Sequence, residues 1–285
     1  MHIKESRRYI YGLTGYPLGH SMSPVIHREL FKISGFDATY GLVEAEPEKL
    51  GDAFRETLSA LRGFNVTIPH KINIIKYLDE LSPRAELFGA VNTVDVREDK
   101  IIGYNTDCAG FLNSLKMADI ELGGNVLLLG CGGVARMIAF ESLLAEANLT
   151  IAVRKEDIVQ ANLLKEEIKT KLNKDCEVIL LEETKGGYDL VVNATPVGMY
   201  PKVDACPVSE EVVALSKAAY DVIYNPQETK FIKYAKNSGI KYSSGLSMLV
   251  WQAAVAQEIW NGVKFSNEDI EQVIQITQKE LEKNE

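Results

Sequence analysis

Four consecutive apolar residues, Val126-Leu127-Leu128-Leu129, run straight into the glycine-rich segment Gly130-Cys131-Gly132-Gly133-Val134-Ala135. A continuous apolar run of that length marks a strand covered on both faces, as in a parallel sheet flanked by helices. Similar runs return near 149–153, 178–181, 190–193, 218–223 and 240–242. About six strands with helical or loop crossovers predict a doubly wound nucleotide-binding sheet. The helix after the glycine-rich turn is predicted to reach about Ala147.

The first hundred residues are less regular. Residues 9–13 form an apolar run, and strand-like pieces follow at 38–43, 63–66, 89–94 and 101–104. Ser23-Pro24 reads as an N-cap and first helical position, opening a helix that runs to Gly35. Pro47 opens another, with Leu50, Phe54, Leu58 and Leu61 at helical spacing. Strands alternating with helices again predict an α/β layer structure. From Leu246 the pattern changes to long helices. Residues 246–261 are largely apolar and end at Gly262, and Ser266 with Asp269 forms a capping-box-like start to a stripe of Ile270, Val273, Ile274, Thr277 and Leu281. This helical pair is expected to pack back on the first half, making that domain discontinuous.

Composition narrows the class. The chain has 285 residues, 46% hydrophobic and 25% charged, as expected of a globular protein with room for two domains. Its net charge of −9 argues against a nucleic-acid partner, and any anionic ligand must be met by local donors. Cys108, Cys131, Cys176 and Cys206 show neither a CxxC motif nor metal-ligand spacing, so free thiols in a reducing cytoplasm and no metal are expected. Met1–Arg8 lacks the apolar stretch of a signal peptide, and no run approaches the length of a membrane span. Oligomeric state is left between monomer and homodimer.

The chemistry clusters in a few runs. Lys71 ends Gly63-Phe64-Asn65-Val66-Thr67-Ile68-Pro69-His70-Lys71, and Asp107 ends Gly103-Tyr104-Asn105-Thr106-Asp107. A lysine and an aspartate at the ends of short strands make an acid–base pair, with the carboxylate orienting the ammonium. The Gly130-x-Gly132-x-x-Ala135 turn, between strand and helix, allows a pyrophosphate to approach a helix N-terminus. Proton and hydride together indicate an alcohol–ketone oxidoreductase. After the second strand, Val153-Arg154-Lys155 suits the 2′-phosphate of NADP, while Glu156 and Asp157 close by leave NAD open. Ser21 and Ser23, at a helix N-terminus, can hold a carboxylate, and His20 beside them reads as a loop histidine. Asn65, Thr67, Asn92 and Asn105 suit a polyhydroxylated ligand; Asn193 and Thr195 follow a buried strand and are expected to line a cofactor groove. Tyr224 and Gln252 are polar groups beside apolar runs.

Taken together the chain resembles the shikimate dehydrogenases. The matching runs are GYPLGHSMSP, GFNVTIPHK, GAVNT, GYNTD, GCGGVA, NATPVGM, DVIYNP and GLSMLVWQAA, in the family's order from about residue 12 to 255. The resemblance implies Lys71 and Asp107 as the catalytic pair, and Ser21, Ser23, Thr67, Asn92, Asp107, Tyr224 and Gln252 as substrate ligands. It implies Gly130, Cys131, Gly132, Gly133, Val134, Ala135, Arg154, Val222 and Gly245 as NADP contacts. The fold expected is a discontinuous α/β substrate-binding domain (1–108 and 246–285) plus a doubly wound Rossmann NADP-binding domain (109–245). The activity expected is reversible reduction of 3-dehydroshikimate to shikimate. The alternatives are a quinate/shikimate dehydrogenase using NAD and a non-catalytic sensor on the same fold. Two departures stand out: the family often has Asn-Arg-Thr where this chain has Val153-Arg154-Lys155, and often His-Asn where it has His27-Arg28.

Overall fold

The structure is a computed structural model that describes residues 9–19 and 21–283. Met1–Arg8 and His20, read above for a signal peptide and as a loop histidine, lie outside the described residues. The chain divides into two compact units, residues 1–106 with 252–285, and residues 107–251. These cuts differ from those expected at 108/109 and 245/246. One falls at the start of helix Asp107–Met117 and the other inside helix Gly245–Asn261.

The first unit is built on β1 (Tyr9–Gly15), α1 (Ser23–Ser34), β2 (Ala38–Glu44), α2 (Leu50–Glu56), β3 (Gly63–Val66), β4 (Glu80–Leu81), α3 (Pro83–Phe88), β5 (Thr93–Val96) and β6 (Ile101–Tyr104). Its sheet has the order β2-β1-β3-β5-β6-β4, and β5 alone runs antiparallel to its neighbours β3 and β6. One core cluster joins Leu50, Phe54, Leu58, Phe64, Ile74 and Val94. Another joins Tyr11, Phe31, Ala256 and Trp260, the last two supplied from far along the chain. Gly63 is required there: a Cβ on it would lie 2.3 Å from Trp260 Nε1, the nitrogen that donates to Val94 O at 2.9 Å.

The second unit comprises α4 (Asp107–Met117), β7 (Asn125–Leu129), α5 (Gly133–Leu144), β8 (Asn148–Val153), α6 (Ile158–Leu172), β9 (Glu177–Leu180), β10 (Leu190–Asn193), α7 (Glu210–Ala214), β11 (Ala218–Asp221), α8 (Lys230–Asn237) and β12 (Lys241–Ser243). All six strands are parallel, in the order β12-β11-β10-β7-β8-β9. The order reverses between β7 and β10, so the crevice of a doubly wound fold opens at their carboxyl ends. Val126, Leu127, Leu128 and Leu129 are fully buried, as their unbroken apolar run requires. The chain ends with α9 (Gly245–Asn261) and α10 (Asn267–Lys283). Ser266 Oγ accepts from the Asp269 N–H at 3.2 Å, and Asp269 Oδ2 accepts from the Ser266 N–H at 2.8 Å, the reciprocal arrangement of a capping box.

Several elements differ from the pattern-based expectation. The helix expected from Pro47 through Leu61 is a short α2 between two 3₁₀ turns, Pro47–Lys49 and Leu58–Ala60. The strand expected at 89–94 begins at Thr93, because Gly89 takes a left-handed conformation (φ 59°) to end α3. The helix α5 stops at Leu144 rather than Ala147. Ser23 does not cap α1: Met22 occupies the N-cap and no side chain caps there, while Ser21 Oγ accepts from the Ser23 N–H at 3.3 Å.

Candidate active site

In the first unit, backbone hydrogen bonds draw the functional runs to one end of the sheet. Thr67 N–H donates to Thr14 O at 2.9 Å, Val66 N–H to Asn92 O at 2.8 Å, and Asn92 N–H to Tyr104 O at 3.0 Å. Val91 N–H donates to Lys71 O at 2.8 Å, which brings the GFNVTIPHK and GAVNT runs together. β5 runs opposite to β3, so the start of β5 lies beside the end of β3. That is why Asn92 meets Asn65 although 27 residues separate them. Thr67 and Lys71 are half-buried. Gln252 is half-buried on α9.

The buried amides are held firmly. Asn65 donates both Nδ2 protons, to Asn92 O at 3.2 Å and Thr93 Oγ1 at 2.9 Å, and its Oδ1 accepts from the Tyr40 hydroxyl at 2.7 Å. Asn65 therefore has no N–H to offer a ligand, only the second lone pair of Oδ1. Asn92 Oδ1 accepts from Thr106 N–H at 2.7 Å, which fixes the orientation of that amide. Asn105 Nδ2 donates to Ala90 O at 3.0 Å.

In the second unit the glycine-rich turn sits at the topological switch point. Gly130 has φ 103°, and a Cβ there would press on Thr195 Cγ2 at 3.0 Å and Ala194 O at 3.1 Å. The turns after β7 and β10 are thus in contact. Gly132, the N-cap of α5, and Gly133, its first residue, are exposed, and a Cβ on either would meet nothing within 4 Å. That leaves clear space in front of unpaired helix N–H groups, as a pyrophosphate needs. Ala135 is buried and Val134 half-buried; Cys131 is buried, and burial raises its thiol pKa. Gly245 packs on the β11 exit, where a Cβ would lie 2.0 Å from Val222 O.

Arg154 stands at the end of β8 on the exposed surface. Its guanidinium is already engaged by Asp157 at 2.8 Å and Glu156 at 3.3 Å. The carboxylates that left NAD open in the sequence are therefore turned onto the arginine. Lys155 begins the 3₁₀ turn that follows.

Sequence reading missed a buried network under this unit's groove. Asp221 is fully buried at the end of β11. It accepts from Thr229 Oγ1 at 2.6 Å, Ile223 N–H at 3.0 Å and Asn193 Nδ2 at 3.1 Å. Asn193 Oδ1 in turn accepts from Thr195 Oγ1 at 2.7 Å and Thr195 N–H at 3.1 Å, so Asn193 and Thr195 brace the wall of the groove. The signal available was an acid closing the apolar run Ala218-Ala219-Tyr220. Tyr224, three residues on, is 36% exposed, and burial of its hydroxyl raises its pKa.

A doubly wound parallel unit with an open glycine turn at its switch point, joined to a separate unit gathering polar groups at one sheet end, has the organisation of a two-domain nucleotide-dependent dehydrogenase. Residues 13–94 match the family described as shikimate dehydrogenase substrate binding domain. A shikimate dehydrogenase (NADP(+)) of Caldanaerobacter subterraneus subsp. tengcongensis is 40% identical over 269 residues, 93% of this chain and 95% of that protein. Among solved structures, a shikimate dehydrogenase in complex with NADP+ has a TM-score of 0.86 at 39% identity, covering 94% of each chain. The Thermus thermophilus shikimate 5-dehydrogenase, solved with NADP(H) and shikimate, has a TM-score of 0.83 at 34% identity over 94% of this chain and 99% of that one. The chain belongs to the shikimate dehydrogenase family.

Proposed function

We propose that this protein catalyses the reversible, NADP-dependent reduction of 3-dehydroshikimate to shikimate, a step toward chorismate and the aromatic amino acids. The observation that carries this reading is the 40% identity to a shikimate dehydrogenase (NADP(+)) across 93% of the chain. The relative solved with both NADP(H) and shikimate supports the same ligand pair.

The cofactor fits residues 130–135, where glycines clear the approach to the α5 N-terminus. Asn193, Thr195, Val222 and Gly245 would border it, and Arg154 and Lys155 would take the 2′-phosphate, for which a guanidinium provides charge-assisted hydrogen bonds. Bound there, NADPH supplies the hydride for the ketone carbon. Lys71 donates the proton to the ketone oxygen and recovers it in the reverse direction. Asp107 holds the Lys71 ammonium and accepts from a substrate hydroxyl. Ser21 and Ser23 bind the carboxylate, which the overall negative charge of the protein would otherwise repel. Thr67, Asn92, Tyr224 and Gln252 complete the substrate cradle, and Asn65 accepts from a ring hydroxyl through its remaining lone pair. Residues 1–108 and 246–285 form the substrate-binding part and residues 109–245 the cofactor-binding part. A cytoplasmic location accords with the four free thiols.

The test is the absorbance of NADPH formed from NADP and shikimate by purified protein. Robust turnover is expected, with quinate and NAD as poorer substrates. No turnover with shikimate would overturn the assignment.

A further inference from the structure

From Thr67 to Asn73, the segment that carries Lys71, His70 alone is buried, and it is fully so. Its neighbours do not anchor the segment by packing: Ile68 is 73% exposed and Ile72 68% exposed, with Pro69 and Asn73 exposed beside them. His70 Nε2 lies 2.7 Å from the carbonyl oxygen of Ala45, the residue that follows β2. A carbonyl oxygen can only accept, so Nε2 carries the proton and donates it. Among the described residues Nδ1 has no hydrogen-bond partner, so the ring spends its bonding within the protein on Ala45.

Both ends of this bond lead to candidate site residues. Ala45 is buried, and its N–H donates to Gly15 O at 3.1 Å, at the head of the run that carries Ser21 and Ser23. On the other side the His70 N–H donates to Thr67 O at 2.9 Å, and Lys71 O accepts from the Val91 N–H at 2.8 Å. The backbone of Lys71 is thus held through His70 before it and through the GAVNT run at its own carbonyl. Without the imidazole donor the Ala45 carbonyl would lose its side-chain partner inside the protein, which is costly. A segment whose other side chains stand largely in solvent has little packing to resist the shift that would relieve it.

We propose that His70 is a positioning residue for proton transfer: its buried imidazole pegs the segment bearing Lys71 to the exit of β2 and so fixes where the ammonium reaches. This rests on the functional reading above. The variant His70→Leu keeps an apolar body in the pocket and deletes the donor. Because a misplacement of about 1 Å can cost on the order of 10²-fold, kcat per folded molecule should fall roughly 10- to 100-fold. The KM for NADP and that for shikimate should stay within about threefold, since the loss falls on the chemical step. His70→Gln, whose amide nitrogen reaches about as far as Nε2, should recover most of the kcat. In a Lys71→Ala background His70→Leu should lower kcat by less than about twofold, because there is no ammonium left to misplace. A residue that only supports the fold would cut activity by the same factor with or without Lys71; that result overturns the proposal, as would a His70→Leu kcat near wild type or a loss in His70→Gln equal to that in His70→Leu. Should His70→Leu not fold, His70→Asn, whose amide stops short of the Nε2 position, replaces it in the same comparisons. Wild-type protein inactive on shikimate with NADP would instead overturn the functional reading, which separates the two failures.

Discussion

Replacing Thr229 by valine removes two hydrogen bonds at once from the buried network beneath the candidate cofactor groove. Thr229 Oγ1 donates to Asp221 Oδ2 at 2.6 Å and accepts from the Ile232 N–H at 3.2 Å as the N-cap of α8. Burial raises the Asp221 carboxyl from 3.8 to about 6, offset in part by Thr229, the Ile223 N–H and Asn193. A raised carboxyl pKa gives stability that is fully present below the unfolded value and is lost as the pH rises through the folded one. From 3.8 to about 6, then, wild-type stability declines on this account, and above it the ionised carboxylate depends on its three donors. Cys206 faces the same carboxylate, and burial raises its pKa, so it remains a neutral thiol over this range. A hydrogen bond to a charged group contributes about 1.5–3 kcal/mol and a neutral one about 0.5–1.5. Loss of the cap adds about 1 kcal/mol. Thr229→Val should therefore destabilise by roughly 2.5–4 kcal/mol at about pH 8 and roughly 1.5–2.5 at about pH 5. Urea unfolding followed by circular dichroism at the two pH values measures the difference, and Thr229→Ser should recover most of it. A loss below about 1 kcal/mol, or one independent of pH, would refute the assignment of an ionised Asp221 held by Thr229.

Three further outcomes concern the site itself. Lys71→Ala should lower kcat by roughly 10²–10⁴-fold while weakening shikimate binding far less, and a near-normal kcat would remove Lys71 from the mechanism. Ser21→Ala should raise the KM for shikimate more than it lowers kcat; unchanged KM would assign the carboxylate to other residues. Arg154→Ala should raise the KM for NADP and leave that for NAD almost unmoved, whereas equal losses for both cofactors would contradict a 2′-phosphate contact.

The second unit was the more legible from sequence, and the reason is physical. Its strands are covered on both faces, so each reads as an unbroken apolar run, and the glycine turn falls where one run ends. The first unit mixes parallel and antiparallel pairing, and its short elements lack a clean period. Gly89 shows the difficulty: it reads as the start of a strand but serves as the left-handed end of a short helix. Ser23 shows another, since a Ser-Pro pair signals a cap that Met22 occupies. The candidate polar residues stand in recognisable runs, and those of the first unit are drawn to one sheet end. What the sequence concealed were their supports. Nothing in the neighbourhood of Tyr40 or Thr229 announces that their partners lie at Asn65 and Asp221, because those bonds are made only once the strands have their neighbours.

Tyr11 hydrogen-bonds Asn261 at 2.6 Å across 250 positions of chain, and Trp260 stacks on the same tyrosine with centroids 4.8 Å apart. During synthesis from the N-terminus, the first unit therefore emerges without the aromatic plug that Gly63 leaves room for. The second unit, contiguous from 107 to 251, holds all its strands before that plug leaves the ribosome. The part of the protein made first is thus the part finished last. Until then the Tyr11 and Phe31 side chains stand without their covering partners, an interval in which a nascent chain exposes apolar surface to chaperones and to its neighbours.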